Sequence, residues 1–297
     1  MKKQLFIAFQ HLVPQHALSR IVGWLADSRI PLIKNTFIRF FAKKYQINMA
    51  EAQIENPLDY PTFNAFFTRA LKEGARPIDT DSDAIVSPAD GAISQIGKID
   101  YGRIVQAKGR GYGLSTLLGG YPHLSDLFKN GYFATIYLSP RDYHRVHMPI
   151  QGTLRETVYI PGDLYSVNQT TAQEVDQLFA RNERLVALFD TEAGPMAMVL
   201  VGAMIVAGIE TVWSGQEAPV IKKPVIKAFQ PKPETPITLE KGEEMGRFKL
   251  GSTVILLFGQ DAIDWVDALQ ENSGVRLGER IATITSDAPS QDASNAS

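Results

Sequence analysis

The residues of this chain whose types and spacing could do chemistry fall in three short segments. Tyr143-His144-Arg145-Val146-His147-Met148-Pro149 places two of the five histidines three residues apart. Imidazoles so spaced could act as acid and base near neutral pH or ligate a metal. No HExxH pattern or evident third ligand accompanies them, so no metal is expected, and structural or surface histidines are the other reading. Ser87-Pro88-Ala89-Asp90-Gly91 offers Asp90, either as a hairpin-turn residue or as a carboxylate that orients a histidine. Gly251-Ser252-Thr253 precedes a hydrophobic run. Ser252 reads as a turn residue at a strand start, or as a hydroxyl able to attack the carbonyl of Gly251 in an N-to-O acyl shift. Glycine at 251 permits the close approach such an attack needs. No G-x-S-x-G elbow surrounds Ser252. The absence of cysteine from all 297 residues excludes thiolate nucleophiles, disulfides and Fe–S clusters.

Those groups need elements to hold them. Ser139-Pro140-Arg141-Asp142 carries an N-cap serine, a first-turn proline and an acid three residues after the cap. The pattern predicts one short helix, ended by Pro149, with His144 and His147 on a shared face; a strand would set them on opposite faces. Ile85-Val86 and 92–96 predict two strands joined by an Asp90-Gly91 hairpin turn. Further strands are expected at 133–138, 186–189, 196–209 and 253–258, with loops and edge strands over 214–241. The Gly-rich stretch 108–113 fits neither G-x-G-x-x-G nor the Walker pattern and reads as a flexible loop before a helix at 114–118. Residues 56–67 mix turn formers with aromatics and read as a docking connector, and 286–297 as a disordered tail.

The formal net charge of −2, from 30 basic and 32 acidic side chains, argues against a nucleic-acid binder. It conceals an asymmetry. Residues 1–50 carry eight basic side chains and one acidic, Asp27, a balance of +7 that leaves −9 for the remainder. Leu18, Ile21, Val22 and Leu25, then Ile33, Phe37, Phe40 and Phe41, fall at helical spacing between these cations. Such helices can cover a core or lie in an anionic bilayer surface, where Trp24 and the phenylalanines suit the headgroup boundary. The longest apolar run, 196–209, has fourteen residues, short of the roughly 20 of a spanning helix, and reads as buried strand. Gln10, His11 and Pro14 interrupt the first apolar stretch, so no export signal is recognised. The expected location is the cytoplasmic face of the inner membrane, as a peripheral protein.

Taken together, Ser-Pro-Ala-Asp-Gly at 87–91, Asp-Tyr-His-Arg-Val-His-Met-Pro at 142–149 and Leu-Gly-Ser-Thr at 250–253 resemble one family closely. It is the bacterial, membrane-associated phosphatidylserine decarboxylases, which make their own pyruvoyl cofactor. Pro-Gly-Asp-Leu-Tyr-Ser-Val-Asn at 161–168, Asn-Glu-Arg at 182–184 and Lys-Gly-Glu-Glu-Met-Gly at 241–246 extend the resemblance, in family order over roughly 56–270.

The resemblance implies a self-processing proenzyme. Asp90, His147 and Ser252 would form a triad that acts once, cutting between Gly251 and Ser252. Ser252 would become the covalent pyruvoyl cofactor, whose ketone forms a Schiff base with the amine of phosphatidylserine and takes up the electrons released with CO₂. His144 would be the general acid that protonates the α-carbon, with an imidazole pKa suited to donation near neutrality. Phosphatidylethanolamine would be the product. Fragments 1–251 and 252–297 would stay associated, the enzyme would work on an anionic membrane surface, and a homodimer fits the family. The implied fold is α+β, with amphipathic N-terminal helices packed on a β-rich, largely antiparallel catalytic core. Its regions would be a basic membrane-docking part at 1–55, a catalytic part at 56–285 and the tail. The rivals are a pyruvoyl decarboxylase of a soluble amino acid, a serine hydrolase using the same three residues, and a membrane-docked binding module without catalysis.

Overall fold

The computed structural model describes residue 10 and residues 13–204, 208–218, 224–228, 236–249 and 252–285. Gly251 and the expected tail at 286–297 lie outside the described residues.

The chain is α+β, and its centre is the most hydrophobic strand of the sequence. β15 (Ser252–Phe258) lies between β9 (Gly194–Val201) and β5 (Tyr132–Leu138), antiparallel to both. β8 (Arg184–Thr191), β7 (Gly152–Ile160) and the edge strand β12 (Val225–Ala228) continue one side of this nine-stranded sheet. β2 (Gly91–Lys98) and β17 (Gly274–Val275) continue the other, and β13 (Thr238–Leu239) pairs with β7. A strand covered on both faces has no polar side to alternate with, hence the unbroken run Val254-Ile255-Leu256-Leu257-Phe258. Its period of two still sorts side chains: Val254, Leu256 and Phe258 enter one core, Ile255 and Leu257 the other.

The first core is closed by two smaller sheets, β11–β10–β14–β6 and β1–β18–β16. The first comprises β11 (Gly215–Ala218), β10 (Gly208–Thr211), β14 (Glu244–Lys249) and β6 (Arg145–His147). The second comprises β1 (Ala84–Val86), β18 (Arg280–Ile284) and β16 (Ile263–Trp265). The second core is closed by short helices, whose Leu114, Leu117, Leu124, Phe128, Leu178 and Phe179 pack on the opposite sheet face.

A third, aromatic core belongs to the N-terminal helices. α1 (Gln15–Ala26) and α2 (Pro31–Tyr45) bury Ala26, Ile38 and Phe41 against α3 (Phe63–Phe67), with Phe63, Phe66 and Phe67. Phe37 stacks on Phe63 at a centroid distance of 4.3 Å. Pro31 opens α2 and Lys43 and Lys44 close it, each where the backbone and the helix dipole favour it. The opposite faces stay uncovered: Trp24 is 73% and Leu32 79% exposed, and Ile21, Ile30 and Phe40 are exposed with them.

Four sequence expectations are corrected. The 139–149 segment is not a helix: Asp142 closes a single turn by accepting from the Ser139 N–H, and β6 then pairs with β14. The 85–96 segment is not a hairpin: β1 pairs with β18, β2 with β5 and β17, and residues 87–90 cross between two sheets. Gly91 is required by contact, since a Cβ there would lie 2.5 Å from the Tyr137 carbonyl oxygen. The 108–113 loop is a β-hairpin, β3 (Arg103–Ala107) with β4 (Arg110–Gly113), turning at Gly109 with φ +73°. The run 196–209 is β9 and the start of β10, in different sheets.

Candidate active site

His147 sits on β6, where the Lys-Gly-Glu-Glu-Met-Gly segment fixes it. The Gly242 carbonyl lies 2.8 Å from Nδ1, and the Tyr143 hydroxyl 3.1 Å from Nε2. A carbonyl only accepts, so Nδ1 carries the proton and Nε2 receives the Tyr143 O–H. That tautomer makes Nε2 the basic nitrogen. Burial pushes the His147 pKa below the ordinary histidine value, opposed by the Gly242 carbonyl and the Glu244 charge. Its backbone N–H donates to the Pro88 carbonyl, which ties β6 to the Ser-Pro-Ala-Asp-Gly crossing.

Asp90 lies on that crossing, but its carboxylate is engaged elsewhere. Arg76 donates to it from Nε at 2.9 Å and from Nη2 at 2.6 Å, and the Leu277 N–H donates at 3.0 Å. Arg76 also reaches Glu51 at 2.8 Å. The expected carboxylate on His147 Nδ1 is therefore replaced by the Gly242 carbonyl, and Asp90 acts on the imidazole through its charge.

His144 is fully buried on the other side of the backbone. Its ring stacks on Phe67 at 4.0 Å, and neither nitrogen has a hydrogen-bond partner. The carbonyls of Pro140 and Ser139 face the ring and oppose the shift without reaching bonding geometry. Burial and the adjacent Arg69 charge push its pKa down to about 3, which overturns the expectation of an imidazole titrating near neutrality. At rest His144 is neutral.

Ser252 opens β15 opposite Leu138, one residue before Ser139. Lys249 closes β14, where the Phe248 N–H donates to the His144 carbonyl. Lys249 thus ends in the sheet that carries His147, and Ser252 begins in the central sheet. The hydroxyl of Ser139, the residue after Ser252's partner Leu138, and both His144 nitrogens are buried without partners. Unpaired donors and acceptors of this kind suit a carbonyl-bearing group at position 252.

A cleft of about 470 Å³ opens between residues 46–76 and this site, lined by Arg69, Arg76, Asp90, Asp142, Tyr143 and Arg276 among others. Arg69, Arg76 and Tyr143 were not singled out from sequence. Tyr143 lies inside a quoted motif, but nothing in residue spacing marks the two arginines. The Asn-Glu-Arg segment supports the scaffold. Asn182 binds the Tyr165 and Gly202 carbonyls, Glu183 accepts from the Tyr159 hydroxyl, and Arg184 donates to the carbonyls of Leu117, Thr116 and Asn182. Among the described residues, no helix is long and apolar enough to cross a membrane.

The family model described as phosphatidylserine decarboxylase matches residues 63–283, and one described as PSD matches residues 5–46. A phosphatidylserine decarboxylase proenzyme of Pseudomonas fluorescens is 59% identical over 279 residues, covering 94% of this chain and 97% of its own. Proenzymes of the same name from Pseudomonas putida and Stutzerimonas stutzeri are each 58% identical, covering 95% and 96% of this chain and 98% and 97% of theirs. The matched region holds Asp90, His144, His147 and Ser252 in one continuous fold, and the chain belongs to the phosphatidylserine decarboxylase family.

Proposed function

We propose that this protein converts phosphatidylserine to phosphatidylethanolamine with a pyruvoyl group derived from Ser252, after cutting itself between Gly251 and Ser252. The observation that carries the reading is that Lys249 ends in the sheet holding the His147 base while Ser252 opens the central strand opposite Leu138, with His144 buried and unpartnered. The names of the relatives support the same substrate.

In the cleavage step the Ser252 hydroxyl oxygen bonds to the Gly251 carbonyl carbon, and its proton passes to His147 Nε2, freed from Tyr143. The amide nitrogen leaves with that proton, so an ester replaces the peptide bond. Loss of the α-proton of residue 252 then expels the Gly251 carboxylate, and water replaces the nitrogen, which departs as ammonia. Asp90, with Arg76, fixes the crossing that carries the Pro88 carbonyl and thereby the β6 backbone.

A pyruvoyl group at position 252 would supply a ketone able to condense with the substrate amine and to take up the electron pair left as CO₂ departs. Ser139 would offer it a hydrogen-bond partner, and Phe67 stacks on the His144 ring. His144 takes a proton once an anionic headgroup offsets Arg69, and delivers it to the α-carbon.

The uncovered faces of α1 and α2 support a peripheral membrane role. Trp24, Leu32 and Phe40 are exposed alongside Arg20, Arg29, Arg39, Lys43 and Lys44, the pairing of apolar and cationic groups that an anionic bilayer surface binds. Continued association of the fragments is supported by β15, which pairs along its length with β5 and β9 of the larger piece, and by β18 on β1.

Intact-mass measurement tests the proposal directly. Two fragments breaking between Gly251 and Ser252 are expected, the smaller blocked at its N-terminus, with CO₂ release from phosphatidylserine vesicles abolished by borohydride. His147→Ala should leave the chain whole. A single uncut chain that fully decarboxylates phosphatidylserine would overturn it.

A further inference from the structure

We infer that Arg69 is the anion-binding residue of the cleft and that its ligand is the phosphodiester of the lipid headgroup, an inference that rests on the decarboxylase reading above.

Two arginines are buried among the described residues, Arg69 and Arg184. Arg184 donates to three carbonyls. Arg69, 4% exposed, has one hydrogen bond, from Nη2 to the Arg141 carbonyl at a long 3.3 Å, and its Nε is buried without a partner. Among the described residues it forms no ion pair within the salt-bridge distance that Arg76, Arg145, Arg155 and Arg280 all satisfy. A guanidinium does not escape burial by losing its proton at ordinary pH, so an unpaired one is unfavourable until an anion arrives.

The carboxylates of the cleft make their close contacts elsewhere, and Asp90 and Asp142 act on Arg69 only through their charge. Asp90 and Glu51 share Arg76, Asp142 accepts from the Ser139 N–H, and Glu279 accepts from the Arg276 N–H. Arg141 and Arg276 line the same cleft and stand exposed at its rim, where they add donors. A planar guanidinium fork fits phosphate oxygens two at a time.

The substrate offers two anions, and chemistry chooses between them. Its carboxylate must leave as neutral CO₂, so a cation on it would stabilise the ground state more than the transition state and slow the reaction. The phosphodiester keeps its charge throughout. Seated on Arg69, it would also cancel the positive field beside His144. The approach is short, because Gln46 and Asn48, just beyond α2, line the same cleft.

The test uses matured protein and glycerophosphocholine, a soluble phosphodiester that has no carboxylate or primary amine. Calorimetric titration should show wild-type binding and at least a tenfold loss in Arg69→Gln, with Arg69→Lys between them. With dihexanoylphosphatidylserine as substrate, Arg69→Gln should raise KM and the inhibition constant of glycerophosphocholine together by roughly tenfold or more, while intact mass shows normal fragments. If Arg69→Gln does not fold, Arg276→Gln at the exposed rim should raise both constants a few-fold. Unchanged glycerophosphocholine binding in these variants, or competition by propionate that vanishes in Arg69→Gln while glycerophosphocholine competition persists, overturns the assignment. A wild-type protein that binds glycerophosphocholine through Arg69 but releases no CO₂ from phosphatidylserine would defeat the decarboxylase reading and leave the anion site standing.

Discussion

Replacing His144 with leucine should remove an acid sensitivity built into the fold. Unfolded, the imidazole takes up a proton as the pH falls through 6.5; folded, burial and Arg69 delay that proton to about pH 3. Between those values the unfolded chain binds more protons, so stability is full above pH 6.5 and falls as the pH is lowered. The slope for one such group is about 1.4 kcal/mol per pH unit, or roughly 2 kcal/mol between pH 6.5 and 5. Both ring nitrogens lack partners, so an apolar side chain of similar volume leaves no donor or acceptor stranded. The lost ring contact with Phe67, at 4.0 Å, costs about 1 kcal/mol and is offset by burial of the leucine.

The assay is urea unfolding of the uncleavable Ser252→Ala chain, with and without His144→Leu, followed by tryptophan fluorescence at pH 7.5, 6.5, 5.75 and 5. A single covalent chain keeps the comparison close to two-state. His147 titrates in both proteins and cancels from the difference. The two curves should lie within about 1 kcal/mol at pH 7.5 and diverge by about 2 kcal/mol at pH 5, the leucine chain being the more stable. Parallel curves over that range would mean that His144 is not held neutral by its surroundings, and the account of its environment would fail.

Three further outcomes follow from particular contacts. Tyr143→Phe removes the hydroxyl that donates to His147 Nε2; the neutral imidazole loses that support, and the pH profile of self-cleavage should move up by roughly half a unit, with the plateau rate kept. Gly91→Ala forces a Cβ against the Tyr137 carbonyl oxygen, where β2 pairs with β5, and should lower unfolding free energy by about 1–3 kcal/mol in the same urea assay. Trp24→Asp combined with Leu32→Asp should weaken sedimentation with anionic vesicles at least tenfold on the order of the lost apolar burial, while leaving the exposed helix faces folded.

The parts legible in the sequence were those decided locally. Thr253 to Phe258 announces itself as buried strand because both faces are covered and no polar residue interrupts it. The helices were legible by period, but the apolar stripe did not say which members face the protein. Phe37 and Phe41 pack on the aromatic core while Ile21 and Phe40 do not, a distinction made by α3, some twenty residues further on. The histidine segment misled because its capping signature is real but stops at one turn: Asp142 satisfies the Ser139 N–H, after which β14 offers a whole edge of hydrogen bonds. Asp90-Gly91 misled for the same reason, its turn preference yielding to pairings with residues 136–137 and 280–283. Arg69 and Arg76 could not be read at all, since only the fold brings them beside residues 90, 141 and 276.

A cut at the proposed position would fall between two sheets, so the chain could break its own backbone there without losing its structure. Lys249 ends a strand held by β6 and β10, and Ser252 begins one held by β5 and β9, so each side of the link is anchored independently of the other. A break there frees two ends that the sheets already hold. The same independence would constrain a new terminus, because position 252 is fixed by the register opposite Leu138. His144 in turn leans on Phe67, which belongs to the aromatic core of the N-terminal helices, and Arg69 follows two residues later. One short helix, α3, therefore bears on both the His144 ring and, just beyond its last residue, the buried Arg69. Repacking Phe63 or Phe66 should disturb decarboxylation more than self-cleavage, because His147 draws its support from Gly242, Tyr143 and Pro88 instead.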